Sequence, residues 1–290
     1  MASPHFWLTP SNLCVSFRRL SSWTWNQLTD ACVLKVPFSE ESITESVLIQ
    51  LAKWHPHDLQ ICAYSKQDEG TGTKATGGKP TGADWSFWVV GPKGRGVEIR
   101  LQAKRQFRRG RYQSLDGTTQ QISDLWNNRG KAVPFYLFYN GDFAHDQHGA
   151  RWPIWTGCGS CGIRFRGQTA WGCSVTSLRD VWGKVSPYPA DLLKQRPWFC
   201  LVCADCWSAS GAVDLPSRMI ALANSMYSAD NNADCPDDMK HADFGVAHED
   251  APSWVRLLES EEGSARWKQF WATTDLRGVA IIKQTNLDLE

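Results

Sequence analysis

The chain has 290 residues, 42 % apolar and 21 % charged, the profile of an ordinary globular protein with one large core or two modest ones. Thirty-one Lys and Arg against thirty Asp and Glu leave a net charge of +1, which excludes a uniformly basic nucleic-acid binder. No stretch approaches the roughly 20 apolar residues of a membrane span, and Met1 to Pro10 lack the basic start and apolar run of a signal peptide. A cytoplasmic protein with reduced thiols, and no membrane partner, is therefore the expectation.

In chain order, residues 13–31 read as an amphipathic helix with Phe17, Leu20, Trp25 and Leu28 on its apolar face. Ser39 is a candidate N-cap for a second helix carrying Ile43, Val47, Leu48, Leu51 and Trp54 at helical spacing, ended by Pro56. His55 and His57 flank that proline and are expected at the surface. The histidine inventory suggests no Ser/His/Asp triad. Residues 58–64 read as a strand and residues 69–83, rich in Gly and Thr, as a loop. That loop is not a phosphate-binding P-loop: relative to Gly78-Lys79 the first glycine position holds Thr73, and Pro80 follows the lysine.

Asp84 to Val90 reads as a strand, Gly91-Pro92-Lys93-Gly94 as a turn and Val97 to Lys104 as the returning strand. A helix over 118–128 and a buried strand over 134–139 follow, which together give an α/β or α+β core. The second half is less regular. Helices are expected at 176–184, 216–227 and 253–271, and a last strand at 279–284. Residues 228–251, with Asp230, Asp234, Asp237, Asp238 and Asp243, read as a solvated loop, because the spacing of a calcium loop is absent.

The returning strand carries the chemistry. Side chains on a strand alternate between faces, so Val97, Ile99, Leu101 and Ala103 share one face and Glu98, Arg100, Gln102 and Lys104 the other. Antiparallel pairing through the turn brings residues near 84 against residues near 103, so an acid, an amide and an ammonium converge at one sheet end. Phosphodiester hydrolysis uses these groups: oxygen ligands for a divalent cation, and a lysine to stabilise charge or activate water. The flank is basic. Between Lys93 and Arg111 lie Lys93, Arg95, Arg100, Lys104, Arg105, Arg108, Arg109 and Arg111 against one acid, Glu98, a cluster suited to a polyanion. Glu98 is the second choice to Gln102 as a ligand, because four residues along a strand span roughly 13 Å.

Asp84, the turn and Gln102-Ala103-Lys104 resemble the signature of the PD-(D/E)xK nuclease superfamily, in its Mrr-like branch where glutamine replaces the second acid. The wider stretch from Ser39-Glu40-Glu41-Ser42-Ile43-Thr44 to Phe135 through Asn140 is also similar to an uncharacterised bacterial family with that core. The sequence departs from the signature in having Gly82-Ala83 before Asp84, without the usual proline. The resemblance implies a restriction-endonuclease-like mixed sheet flanked by helices over 1–141, followed by a less regular region over 142–290. It implies a Mg²⁺- or Mn²⁺-dependent nuclease with DNA as the expected substrate and a role in defence against foreign DNA, acting with a partner protein or as a homo-oligomer. Asp84, Gln102 and the carbonyl of Ala103 would hold the metal and Lys104 would be the catalytic lysine. Glu40 would be the helix glutamate, with Glu41 as fallback, and Gln120 or Gln121 would face the site from the next helix. Arg100, Arg105, Arg108, Arg109 and Arg111 would hold the phosphate backbone. A non-catalytic nucleic-acid-binding or protein-interaction module on the same scaffold is the alternative.

Cys158-x2-Cys161 and Cys203-x2-Cys206 have the spacing of a tetrahedral structural zinc site. Cys200 with Cys203 is an equal second pair, and His145 and His148 are further candidate partners. The competing reading is a set of reduced, partly buried thiols, to which Cys173 belongs.

Overall fold

A computed structural model describes residues 12–63, 82–107, 110–112, 115, 120–143, 167–184, 187, 189–192, 195–203, 214–228, 235–258, 265–274 and 276–284. Helix α1 (Leu13–Leu34) starts at Asn12, whose side chain accepts from the Val15 N–H. Helix α2 (Glu40–Trp54) starts at Ser39, whose hydroxyl accepts from the Ser42 N–H. The expected apolar faces of both helices are buried.

Strands β1 (Leu59–Ala63), β2 (Trp85–Val90), β3 (Gly96–Arg105), β4 (Val133–Tyr139), β5 (Cys173–Ser177), β6 (Arg196–Pro197) and β7 (Gly278–Lys283) form one mixed sheet in the order β1-β7-β2-β3-β4-β5-β6. The pairs β2/β3, β1/β7, β4/β5 and β5/β6 are antiparallel; β2/β7 and β3/β4 are parallel. Helix α3 (Gln120–Asn127) makes the crossover from β3 to β4. The α/β class and a mixed sheet flanked by helices are thus as expected. The division at 141/142 does not partition the sheet: β5 and β6 extend its edge, and β7 lies between β1 and β2. The second half completes the core that the first half begins.

Several second-half elements differ from expectation. Residues 173–177 are a strand, followed only by the short helix α4 (Leu178–Val181), where a single helix over 176–184 was expected. Val175, Leu178 and Val181 have helical spacing, but pairing along β4 overrides it. Helix α5 (Leu215–Tyr227) matches its expected span, and the short helix α6 (Asp237–Lys240) interrupts the acidic stretch read as loop. The expected helix over 253–271 contains α7 (Ser253–Leu258) and α8 (Ala265–Thr273). Among the described residues no helix is long and apolar enough to cross a membrane.

His55 is a correction. It is buried, not at the surface, whereas His57 is exposed. Its Nε2 lies 2.6 Å from Ser16 Oγ, and Asp58 Oδ2 lies 3.8 Å from its Nδ1. The order serine, histidine, acid is that of a hydrolase relay, yet Ser16 is 0 % exposed within α1 and its hydroxyl also reaches the Asn12 carbonyl. No substrate reaches this serine, so the trio ties α1 to the end of α2. Burial lowers the His55 pKa against the pull of Asp58, which favours the neutral ring that such a tie needs.

Gly82 fixes the approach to Asp84. Its φ is +70°, and a Cβ there would lie 2.6 Å from the Gln121 carbonyl oxygen and from the Leu125 nitrogen of α3. Gly82→Ala is expected to destabilise the fold by about 1–3 kcal/mol, read by chemical denaturation. An unchanged midpoint would show that the close approach to α3 is not needed.

Candidate active site

Asp84 stands immediately before β2. The β2/β3 register pairs Trp85 with Leu101, so Asp84 sits level with Gln102. The Asp84 N–H donates to the Leu101 carbonyl at 2.9 Å. Its carboxylate is 7 % exposed and both oxygens are engaged. Oδ2 accepts from the Ala103 backbone N–H at 2.9 Å and from the Gln102 side-chain amide. Oδ1 lies 3.1 Å from Arg277 Nε. Burial raises the Asp84 pKa, opposed by the Arg277 charge, the Ala103 N–H and the Lys104 charge.

The β3 alternation is as expected: Val97, Ile99, Leu101 and Ala103 are buried, while Glu98, Arg100 and Lys104 are half-buried. Gln102 breaks the polar face by being buried, at 3 % exposure. A buried amide must satisfy its N–H groups, and Gln102 does so on the Asp84 carboxylate and, at 3.2 Å, on the Ala103 carbonyl. In this arrangement it is a donor to Asp84. To serve as a metal ligand its amide must turn over and present Oε1.

Glu40, at the first turn of α2, joins the site. Burial pushes its carboxyl up to about 7, with Asp84 and Glu41 adding to the rise and Lys104 and Arg277 opposing it. Lys104 therefore acts electrostatically on both Asp84 and Glu40. Glu41 takes a different part. Its Oε1 accepts from Arg277 Nη1 at 2.6 Å. Its desolvation is outweighed by this bond and by the Arg277 charge, which hold its carboxyl at about 2. Sequence reasoning did not find Arg277. It directly precedes β7, and the parallel pairing of Gly278 with Trp85 sets it beside Asp84.

Other expected residues lie elsewhere. Glu98 Oε1 accepts from Ser86 at 2.6 Å and Arg100 at 3.1 Å, so it is no ligand at this end of the sheet. Arg100 also donates to the Asn128 carbonyl at 2.6 Å, so its guanidinium is spent inside the fold and leaves the phosphate-holding set. Gln120 is exposed and donates to Asp124 at 2.8 Å; Gln121 approaches Gly82 through its backbone. Arg105 lies over the Phe107 ring at 4.0 Å and is acted on by Glu40 and Glu41. Phe107 N–H donates to the Arg111 carbonyl at 2.9 Å, closing a turn just past the site. Arg111 is exposed; Arg108 and Arg109 lie outside the described residues.

Cys158, Cys161, Cys206, His145 and His148 also lie outside the described residues. Cys203 is fully buried, with Arg18 Nη2 4.0 Å from its sulfur. Cys173 is fully buried, and its thiol, pushed up to about 12 by burial, donates to Thr24 at 3.3 Å.

No three His, Cys, Asp or Glu side chains among the described residues form a metal-binding group by themselves. A cation at Asp84 would instead draw on the carboxylates of Asp84 and Glu40, the Ala103 carbonyl and the Gln102 amide oxygen. These are hard oxygen donors, and they fit Mg²⁺ or Mn²⁺. The fit carries one condition, since Arg277 and the Gln102 amide now hold the two oxygens of Asp84. No curated protein and no solved structure matches the chain. The family of unknown function DUF6615 matches it over residues 13–288, and the chain belongs to that family.

Proposed function

We propose that the chain is a metal-dependent phosphodiesterase acting on nucleic acid, with DNA as the substrate its nuclease-like signature favours. One observation carries the reading: Asp84, Glu40 and Lys104 share one end of the β2/β3 pair, and Glu40 is raised to about 7 by burial and by Asp84. A carboxyl poised near neutrality beside a second carboxylate and a lysine is the equipment of proton transfer and cation binding. When bound, Mg²⁺ or Mn²⁺ would neutralise phosphate charge and acidify water. Asp84, Glu40 and the Ala103 carbonyl would hold it. Lys104 would stabilise charge on the phosphate or orient the attacking water. Arg105, Arg108, Arg109 and Arg111 would hold the phosphate backbone. Defence against foreign DNA, with a partner protein or as a homo-oligomer, is the setting that the nuclease resemblance suggests.

A second reading, a binding module without catalysis, is favoured by the saturated carboxylate of Asp84. One experiment separates the two. DNA and RNA are incubated with wild type and Asp84→Ala in Mg²⁺ and in Mn²⁺. Cleavage by wild type that is lost with Asp84 supports the nuclease. Salt-sensitive binding that ignores metal and survives Asp84→Ala, with no cleavage, supports the module.

A further inference from the structure

We propose that Arg277 is the resident counter-cation of this site: it holds the Asp84 carboxylate until a divalent cation displaces it, so the Arg277 bridge and the bound metal exclude one another. The inference rests on the metal-dependent reading of Asp84 and adds a gate to it.

Arg277 is not a stray surface arginine. Its backbone N–H donates to the Asp84 carbonyl at 2.6 Å, which pins its Cα beside that residue. The next residue, Gly278, has no room for a side chain, because a Cβ there would lie 2.1 Å from the Trp85 ring. The strand start is thereby seated against β2. From this anchor the guanidinium spans two carboxylates, with Nε 3.1 Å from Asp84 Oδ1 and Nη1 2.6 Å from Glu41 Oε1.

The two oxygens of Asp84 differ in what holds them. Oδ2 is committed to the Ala103 backbone N–H of β3, with the Gln102 amide beside it. Oδ1 is held by a side chain alone, and it is the oxygen from which a partner can be exchanged. A cation bound at about 2.1 Å from that oxygen cannot share it with a guanidinium, because two positive centres a few ångströms apart repel. Arg277 has somewhere to go: it is 39 % exposed on a long stem, and Glu41, 30 % exposed, can keep hold of it. Glu41 then serves as the catch for a displaced arginine, and this gives it a role distinct from that of Glu40.

The test uses the full chain and Mn²⁺ as probe, with free Mn²⁺ counted by electron paramagnetic resonance. Arg277→Gln should bind Mn²⁺ about tenfold or more tighter than wild type, the size of an ordinary coupling between two sites. Arg277→Lys keeps the charge without the two-carboxylate fork and should fall between them. Asp84→Asn should abolish binding in both the wild-type and the Arg277→Gln background. A second measurement needs no substitution in the protein being titrated: Mg²⁺ added to ¹⁵N-arginine-labelled wild type should move the Arg277 Nε–H resonance, assigned by its loss in Arg277→Lys. If Arg277→Gln binds Mn²⁺ no better than wild type while Asp84→Asn loses it, or if the resonance stays put at saturating Mg²⁺, the gate is wrong and the metal site stands. If neither wild type nor Arg277→Gln binds Mn²⁺, both fall.

Discussion

Replacing Lys104 with alanine is expected to lower the rate of phosphodiester cleavage by about 10²–10⁴-fold, the usual contribution of a positioned proton-transfer or charge-stabilising group. Substrate affinity should change far less if, as proposed, Arg105 and its basic neighbours in sequence hold the phosphate backbone independently of Lys104. Lys104 has a second effect that a merely structural lysine would not produce. Its charge lowers the Glu40 pKa against the burial that raises it. Without that charge Glu40 rises further above about 7, and a larger share of it is protonated at neutral pH. The pH–rate profile of Lys104→Gln should therefore move to higher pH as well as lower rate, since the proposed chemistry uses ionised Glu40. A loss of less than tenfold, or a large loss with the profile unmoved, would remove Lys104 from the chemistry. Arg at this position keeps the charge and should hold the profile near that of wild type.

How much of this site can be read from sequence follows from how local each contact is. Gln102 and Lys104 lie on β3 and Asp84 stands just before β2, two strands joined by one tight turn. Period-two alternation and the Gly91–Gly96 hairpin suffice to bring them together. Glu40 is legible for a similar reason: Ser39 caps α2, and the apolar positions that follow fix which face turns inward. Arg277 is a different case. It pairs with Glu41 across 236 residues of chain. Its strand is a plain apolar run from Val279 to Ile282, whose neighbours are chosen by packing rather than by pattern. His55 was hidden in the same way, since its partner Ser16 lies on another helix, 39 residues earlier. Gln102 was legible as a residue and not as a donor, because which end of an amide faces Asp84 depends on what surrounds it. The basic cluster shows the limit of counting charges: Arg100 belongs to it in sequence, but Glu98 and the Asn128 carbonyl consume it.

Glu40→Gln is expected to make the metal-free protein more stable at pH 8 while abolishing metal-dependent cleavage. The carboxyl is raised from 4.5 in the unfolded chain to about 7 in the fold. Below pH 4.5 both states hold the proton and folding incurs no penalty. Between 4.5 and about 7 the unfolded chain loses its proton first, so stability falls as pH rises, and above 7 the loss is complete. A shift of this size corresponds to on the order of 3 kcal/mol, reduced here because Glu40 is only half-buried and water offsets part of the burial penalty. Glutamine keeps the shape and never ionises. The gain should therefore be about 1–2 kcal/mol at pH 8 and near zero at pH 4, read by chemical denaturation in the presence of a chelator. Mg²⁺ should reverse the comparison at pH 8, stabilising wild type and leaving Glu40→Gln unmoved, since only the ionised carboxylate repays the cation. A glutamine variant less stable than wild type at pH 8 without metal would mean that Glu40 is held by favourable contacts and carries no burial penalty. The higher stability, together with lost cleavage, would instead mark Glu40 as a residue kept at the expense of the fold for what it binds.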